Sequence, residues 1–261
     1  MTYETIDVER ADGIARVTMA RPEAHNSLDR TMAGELRDVV LELVDDRTVR
    51  CLVLTAEGEA FNTGADLTTL EGDSSDARRL RHLATRLHTT IRHLAEARMP
   101  VVTGVNGVAA GAGFGLALSG DVVLVSEDAR LEYAYPRIGL SGDGGATYLL
   151  PRLVGLRRAL SITLLDEPIP AEEAVELGLA TEAVPAEEFD DRLAEVATDL
   201  ADGPTRAYAA IKRLLRQSYG RSLGAHLTAE TDSLARLADT NDYVYGYEGF
   251  FGDDEPSFTG R

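Results

Sequence analysis

The chain is poor in the residues that mark secreted, membrane-spanning or nucleic-acid-binding proteins. Among its 261 residues there is one cysteine, Cys51, so no disulfide can form within the chain. No apolar run approaches the about 18 residues that a membrane-spanning helix needs. The opening MTYETIDVER alternates acids with apolar residues, whereas a signal peptide has a basic segment and an apolar run. We therefore expect a cytoplasmic protein that does not associate with membranes.

Lysine is almost absent as well. Lys212 is the only lysine, and the formal net charge is −18. Nucleic acid requires clustered positive charge, so we expect no such partner. Strong acidity with little lysine is consistent with a halophilic protein from a high-salt cytoplasm, because a negative surface keeps proteins apart in solution. GC-rich coding with ordinary acidity is an equal alternative.

The hydrophobic pattern predicts an α/β fold. Polar and apolar residues alternate over 3–9 and 14–19 around Asp12-Gly13, which predicts a hairpin. Apolar residues then recur at helical spacing over 36–43 and 80–94. Further strands are predicted at 49–54, 101–105, 122–125 and 131–133. Strands that alternate with helices predict a largely parallel sheet.

Helices dominate the sequence after about residue 150. They are predicted at 156–165, 170–177, 186–201, 204–218 and 222–238. We therefore expect a core over residues 1–200 that carries the functional site, followed by a helical C-terminal region over residues 201–261. For the second part we predict a role in oligomerisation and as a lid.

Two glycine-rich turns stand out chemically: Phe61–Leu67 and Asn106–Gly115. Each follows a predicted strand and leads towards a helix, where small residues allow close approach and unpaired N–H groups point outward. One such turn is as often a packing feature, but two directed at one point would form an oxyanion hole. The GxGxG spacing of 111–115 does not match the GxGxxG of a dinucleotide site, so no nicotinamide cofactor is expected.

Five segments together resemble the crotonase (enoyl-CoA hydratase/isomerase) family, in consistent order and nearly end to end. They are RPEAHNSL (21–28), FNTGADL (61–67), NGVAAGAGFGLALSGD (106–121), GGATYLLPRLVG (144–155) and PSFTGR (256–261). The resemblance implies a core spiral of ββα turns, a homotrimer or hexamer, and an acyl-CoA thioester substrate. It also implies that the backbone amides of Ala65 and Ala112 form the oxyanion hole.

Further binding positions follow from the same resemblance. The loop near the nucleotide part of CoA contributes Ala24 and Asn26, and the remaining predicted contacts are Gly64, Ala65, Asp66, Leu67, Gly111 and Tyr135. Arg21 is a candidate for a CoA phosphate, with a solvated surface arginine as the alternative. Asp66 is expected chiefly to cap the next helix. CoA is the substrate carrier, and no separate cofactor is expected.

No metal is expected either. His82, His88 and His93 lie on one predicted helix, but spacings of six and five do not match the i, i+4 pair of a helical zinc site. We interpret them as exposed or flanking side chains.

The carboxylates depart from the hydratase pattern. Hydratases of the family carry two glutamates, and these positions fall here on Gly115 and Tyr135. Without general acid–base help, which typically contributes about 10²–10⁴-fold, hydration would be slow. Asp143 lies in a small-residue turn where similar isomerases carry their acid/base and dehalogenases a nucleophile. A helix N-cap is its structural alternative.

The sequence therefore favours an isomerase in which Asp143 moves a proton while the thioester enolate rests in the oxyanion hole. Tyr135 is expected chiefly to line the pocket, with a hydrogen bond to the substrate or to Asp143 as the alternative. Glu132 is not expected to replace the acid. An enoyl-CoA hydratase and a non-catalytic acyl-CoA-binding protein remain as alternatives. The acyl group and the pathway are not indicated by the residues.

Overall fold

The computed structural model describes residues 3–252 and 256–260. Residues 1–2 of the predicted core, and residues 253–255 and 261 of the predicted C-terminal region, lie outside the described residues. The strands are β1 Ile6–Ala11, β2 Ile14–Met19, β3 Cys51–Ala56, β4 Ala60–Asn62, β5 Val101–Val105, β6 Val108–Ala110, β7 Val122–Ser126, β8 Arg130–Glu132, β9 Ile169–Pro170 and β10 Glu182–Val184. The helices are α1 Arg30–Asp45, α2 Asp76–Glu96, α3 Ala112–Ala117, α4 Ala146–Leu165, α5 Ala171–Glu176, α6 Phe189–Asp202, α7 Thr205–Gln217, α8 Leu223–Ala238 and α9 Asn241–Phe251.

The strands form two sheets that the chain visits in turn. One sheet has the order β1-β2-β3-β5-β7-β10 and the other the order β4-β6-β8-β9. In the successive pairs β3–β4, β5–β6 and β7–β8, the first strand joins the larger sheet and the second joins the smaller one. A helix follows each pair, so the chain winds as a spiral of ββα turns. The α/β fold class and the spiral are confirmed.

The predicted hairpin is confirmed. β1 and β2 pair antiparallel from Ile6 opposite Met19 to Ala11 opposite Ile14. Asp12 and Gly13 both have positive φ, at 50° and 79°. Left-handed residues at both positions give the tight turn whose twist matches the strands.

Both faces of β3 are covered. Leu52 and Leu54 belong to the main core, while Cys51 and Val53 pack with Leu193 of α6 in a second cluster. This alternation agrees with the uninterrupted apolar run of the sequence. Burial raises the pKa of the Cys51 thiol to about 12, which fits a packing residue without reactivity.

Most of the helices lie where the sequence predicted them. Asp29 caps α1 by accepting a hydrogen bond from the Met32 amide. The predicted helix 156–165 is the second half of α4, which begins at Ala146 and kinks at Gly155. Helix α9 was not predicted, although Tyr243, Tyr247 and Phe251 recur at the four-residue spacing of a helix face. The very short strands β4, β6, β8, β9 and β10 were missed or only partly predicted, since two or three residues carry no readable period.

Lys212 fixes the C-terminal helices to the core. The ammonium group lies on α7, contacts the Asp121 carboxylate at 2.5 Å and donates to the carbonyls of Leu94 and Met99 at 3.0 and 3.2 Å. Its side chain is only 9% exposed, so the one lysine is a buried structural anchor. The division at residue 200 and the roles of lid and oligomerisation stay predictions.

None of the helices in residues 3–252 is long and apolar enough to cross a membrane.

Candidate active site

Three segments meet at the first turn of α3. A Cβ atom built on Gly64 would lie 3.2 Å from the amide nitrogen of Ala112. A Cβ built on Gly144 would lie 3.2 Å from the carbonyl oxygen of Ala112. The turn after β4 and the loop before α4 therefore both pack on the start of α3. The two glycine-rich turns and the Asp143 loop form one site.

The amide of Ala65 points away from its neighbouring strand. Leu28 forms an isolated parallel bridge with Ala65, in which the Leu28 amide donates to Gly64 O at 2.7 Å and the Asp66 amide donates to Leu28 O at 3.0 Å. Leu28 thus makes both bonds with the residues on either side of Ala65. In such a parallel bridge the N–H of the central residue, here Ala65, is directed away from the partner strand. The Asn62 side chain stabilises this turn, because its Oδ1 accepts a hydrogen bond from the Gly64 amide at 2.9 Å.

The amide of Ala112 is unpaired for a different reason. Ala112 is the first residue of α3, and its N-cap, Gly111, has φ 55° and offers no capping side chain. The first amides of a helix have no acceptor within the helix. Among the residues that the structure describes, neither Ala65 nor Ala112 has an acceptor for its N–H. Both amides are available to an anionic oxygen, although their catalytic role stays a prediction.

Asp143 lies in a loop that glycines make possible. Gly142, Gly144 and Gly145 have φ of 98°, 62° and 74°, in the left-handed region that other residues avoid. Oδ1 of Asp143 accepts a hydrogen bond from the Tyr135 hydroxyl, and Oδ2 lies 3.5 Å from Nε2 of His88. The carboxylate thus has a hydrogen-bonded oxygen and one facing an imidazole.

The alternative reading of Asp143 as a helix cap is wrong. The N-cap of α4 is Gly145, and no side chain caps this helix. The carboxylate of Asp143 points to Tyr135 and His88 instead.

The Tyr135 hydroxyl stays protonated and so can donate its hydrogen bond to Asp143. Its side chain is buried, and burial, followed by the nearby Asp143 carboxylate, raises the pKa of the Tyr135 hydroxyl well above its usual range. The hydroxyl therefore keeps its proton at neutral pH. Of the two roles predicted for this residue, the structure shows the hydrogen bond to Asp143, and the buried ring, 5.0 Å from that of Tyr133, is also part of an aromatic cluster.

The turn that carries Tyr135 is stabilised by Asp166, which follows α4. Ala134 has φ 61°, an unfavourable conformation for a residue with a Cβ. Its amide donates to Oδ1 of Asp166 at 2.7 Å, and Oδ2 of Asp166 accepts from Arg137 at the same distance. Sequence reasoning missed Asp166, which lies 32 residues along the chain.

Glu132 is engaged in ion pairs. Arg130 and Arg137 contact its carboxylate at 2.6 and 2.5 Å. Burial by itself would raise the pKa of Glu132, but the hydrogen bonds from both arginines together hold it below its ordinary value. Such a group stays ionised and is a poor proton donor, in agreement with the prediction.

Gly115, one of the two vacant hydratase positions, is closed by backbone. A Cβ built there would lie 2.2 Å from the carbonyl oxygen of Gly144. Real Cβ contacts are never that short, so position 115 admits no side chain in this arrangement. The loop that brings Asp143 to the site therefore occupies the space in which a glutamate at 115 would begin.

Hydrogen bonds of a buried asparagine hold the predicted CoA loop. Asn26 is wholly buried; its Oδ1 accepts from the Arg21 amide, and its Nδ2 donates to the carbonyls of Glu57 and Ala60. Asn26 thus shapes the loop from below, and this arrangement speaks against its predicted direct contact with CoA. Ala24 is partly exposed on the same loop.

Arg21 is paired inside the protein. Its guanidinium contacts Asp29 and Asp66 at 3.3 and 3.2 Å and donates to the Ser27 carbonyl at 2.8 Å. This positive charge is already neutralised, so a role in holding the loop fits Arg21 better than a phosphate contact.

Asp66 caps the turn that follows it, as predicted. Its Oδ1 accepts hydrogen bonds from the hydroxyl and the amide of Thr68. These bonds, with that from Arg21, hold the pKa of Asp66 below its ordinary value against the opposing effect of burial. Leu67 is half exposed, Ala65 and Gly111 are partly exposed, and Gly64 is buried.

His88 is the functional candidate that sequence reasoning missed. The Gly144 amide donates to its Nε2 at 3.2 Å, in addition to the approach to Asp143. The spacing of the histidines along α2 excluded a zinc pair, but no local pattern indicated a contact with a loop 55 residues further on.

An α/β spiral whose turns present two unpaired amides beside a carboxylate is typical of enzymes that stabilise a thioester enolate. A profile of the family described as Enoyl-CoA hydratase/isomerase matches residues 9–261. The chain belongs to the enoyl-CoA hydratase/isomerase family.

Some relatives of the chain are named hydratases and others isomerases. The chain is 37% identical over 261 residues to a probable enoyl-CoA hydratase of Rhodobacter capsulatus, with all of both chains covered. It is 35% identical over 251 residues to the 1,2-epoxyphenylacetyl-CoA isomerase of Escherichia coli, covering 95% of this chain and 96% of the relative. A solved putative enoyl-CoA hydratase of Streptomyces coelicolor superposes with a TM-score of 0.92 at 36% identity, covering 100% and 96%.

Proposed function

We propose that this chain is an acyl-CoA isomerase that shifts a double bond or opens and rearranges a ring through a thioester enolate. The observation that carries the proposal is that Asp143 lies in the same loop whose backbone leaves no room for a side chain at position 115. The carboxylate lies in the loop that packs on Ala112, and the backbone of the same loop fills the space of one hydratase glutamate. Tyr135 stands at the position of the other.

The chemistry uses the two oxygens of Asp143 differently. The thioester oxygen accepts hydrogen bonds from the amides of Ala65 and Ala112, each worth on the order of 3 kcal/mol when negative charge develops. Oδ2 of Asp143 removes a proton from one carbon of the acyl chain, and the C–H electron pair passes into the enolate. The same oxygen then protonates another carbon. Tyr135 holds Oδ1 and so orients the carboxylate.

Hydration is the second candidate. It needs one group to activate water and another to protonate the enolate. Asp143 and His88 lie 3.5 Å apart and offer two such groups, and the Rhodobacter relative carries a hydratase name.

We further propose that the C-terminal helices mediate assembly into a trimer or a dimer of trimers, in the cytoplasm and with CoA as the only carrier. Support comes from large apolar side chains that α8 and α9 leave exposed. They include Leu223, Leu234, Tyr247, Phe250 and Phe251.

Turnover of a 3-enoyl-CoA and a 2-enoyl-CoA by the wild type and by Asp143→Asn tests the function. The asparagine keeps an oxygen for the Tyr135 hydroxyl but cannot act as a base. We expect conversion of the 3-enoyl-CoA to fall about 10²–10⁴-fold, with little hydration of the 2-enoyl-CoA by either protein. Asp128→Asn, in an exposed turn, is the matched control. Efficient hydration that Asp143→Asn leaves unchanged would show that another group is the acid.

A further inference from the structure

The two oxygens of Asp143 have different surroundings. Oδ1 accepts from the hydroxyl of Tyr135, which is buried. Oδ2 faces Nε2 of His88 at 3.5 Å. The Asp143 side chain is 29% exposed and that of His88 is 50% exposed. A proton received on Oδ2 therefore has an imidazole beside it, and that imidazole reaches solvent.

The His88 imidazole is positioned by α2 and by a hydrogen bond from the Gly144 loop. Its neighbours Leu87 and Ile91 on α2 are buried, which fixes the helix face against the core. The Gly144 amide donates to Nε2 at 3.2 Å. An imidazole nitrogen that accepts a hydrogen bond carries a lone pair, so the geometry places the ring proton on Nδ1.

We propose that His88 passes the proton that Asp143 takes from the substrate to solvent, so that isomerisation proceeds with exchange. The inference rests on the proposed isomerase function. The separation of 3.5 Å exceeds a direct hydrogen bond, and a small rotation of either side chain closes it. His88 acts through Asp143, as a positioning and proton-exchange residue.

The protons balance without any further reactant than water. Asp143 Oδ2 takes a proton from the substrate carbon and becomes a neutral acid, while the C–H electrons enter the enolate. The acid gives that proton to the lone pair of His88 Nε2, which breaks the hydrogen bond from the Gly144 amide and leaves a carboxylate and an imidazolium. Rotation of the half-exposed imidazolium brings its Nε2–H to water, where that proton exchanges, and Nε2 then returns the new proton to Oδ2. Asp143 then delivers it to the other carbon.

The Asp143 side chain is less exposed than that of His88, so without His88 the carboxylic acid exchanges more slowly and returns most of its protons to the same substrate molecule. The fraction of product that carries a solvent proton is therefore set by the competition between exchange through His88 and return of the proton to the enolate. A purely structural role for His88 would change the rate or the stability, and a slower return of the proton would raise this fraction, whereas loss of the exchange role lowers it.

The test is isomerisation of a 3-enoyl-CoA in D₂O, with product deuterium measured by mass spectrometry at early conversion. Wild type and His88→Gln are compared, because glutamine still offers an acceptor to the Gly144 amide but cannot carry the proton. His82→Gln, on an exposed position of the same helix, is the control. We expect His88→Gln to lower the deuterium per turnover at least about tenfold while the turnover rate falls less than about tenfold.

Each outcome is decisive. Equal deuterium in the wild type and in His88→Gln overturns the exchange role, as does a wild-type product without deuterium. Both results leave the isomerase function standing, because the product itself is formed. If the wild type converts no 3-enoyl-CoA, the proposed function fails and the role of His88 fails with it.

Discussion

Gly115 and Gly144 touch through backbone, and this contact links the missing glutamate to the presence of Asp143. A Cβ on Gly115 would lie 2.2 Å from the Gly144 carbonyl oxygen and 3.0 Å from its Cα. The loop that delivers Asp143 can approach α3 this closely only because position 115 has no side chain. A glutamate at 115 and the present Asp143 loop therefore exclude one another.

Restoring the glutamate will consequently not restore hydration. We expect Gly115→Glu to displace the loop that carries Asp143, to abolish turnover of a 3-enoyl-CoA and to lower the free energy of unfolding by about 1–3 kcal/mol or more. Product analysis and denaturant titration check both effects. Gly34→Ala is the control, since a Cβ there meets nothing within 4 Å and alanine favours the helix by about 0.5–1 kcal/mol. A stable Gly115→Glu protein with hydratase activity would contradict the steric account.

Tyr135→Phe tests the orientation of the base. Removing the hydroxyl leaves Oδ1 of Asp143 without its buried donor, so the carboxylate is no longer fixed. We expect kcat for the 3-enoyl-CoA to fall about 10–100-fold, because a misdirected base costs about that much. KM should change little, since the ring that lines the site remains. Tyr219→Phe, at an exposed position, should match the wild type, and a Tyr135→Phe enzyme of full activity would remove Tyr135 from the mechanism.

The pKa of Tyr135 also predicts a pH dependence. Burial and the Asp143 carboxylate raise the folded-state pKa above the ordinary value of 10.0. The unfolded chain then loses this proton first, so the stability contribution is fully present below pH about 10 and is lost as the pH rises towards the raised value. Thermal unfolding between neutral pH and pH about 11 should show a smaller loss of stability for Tyr135→Phe than for the wild type. An equal loss in both proteins would mean that Tyr135 is not protected from ionisation.

The sequence predicted the parts of this site that are local. Glycine-rich turns after strands can be recognised from a few adjacent residues, and both turns and the small-residue loop of Asp143 were predicted in this way. The contact of Asp143 with His88 could not be found in this way, because it depends on where the tertiary fold places α2 beside the loop before α4. Fold class followed from alternating strands and helices, whereas strands of two or three residues carry too little periodicity to be seen.

Asp166 acts on the site only through the turn before Tyr135. Its carboxylate accepts from the Ala134 amide at 2.7 Å and holds a residue whose φ is 61°. We expect Asp166→Ala to lower kcat by a factor similar to that of Tyr135→Phe, because both leave Asp143 without its oriented donor. The double variant should then be little worse than either single one, since coupled positions are not additive. Independent losses that multiply in the double variant would show that Asp166 has a separate role.

The final prediction concerns the two cations that share Asp121. Lys212 contacts its Oδ2 at 2.5 Å with a side chain 9% exposed, whereas Arg216 contacts Oδ1 at 2.8 Å with a side chain 31% exposed. Lys212→Met removes the buried donor of the Leu94 and Met99 carbonyls, while Arg216 still pairs with Asp121. The more exposed Arg216 pair is weakened by solvent. We expect Lys212→Met to lower the free energy of unfolding by about 3 kcal/mol and Arg216→Met by at most about 1 kcal/mol.

Lys212 also donates to the carbonyls of Leu94 and Met99, so its loss frees the C-terminal helices from the end of α2. Hydrogen exchange should therefore show faster opening of α7–α9 in Lys212→Met, with the strands of the larger sheet less affected. Because the ammonium group is a buried contact between α7 and the core, local release should precede global unfolding. Equal destabilisation by the two substitutions, or uniform exchange throughout the chain, would show that burial does not distinguish Lys212 from Arg216.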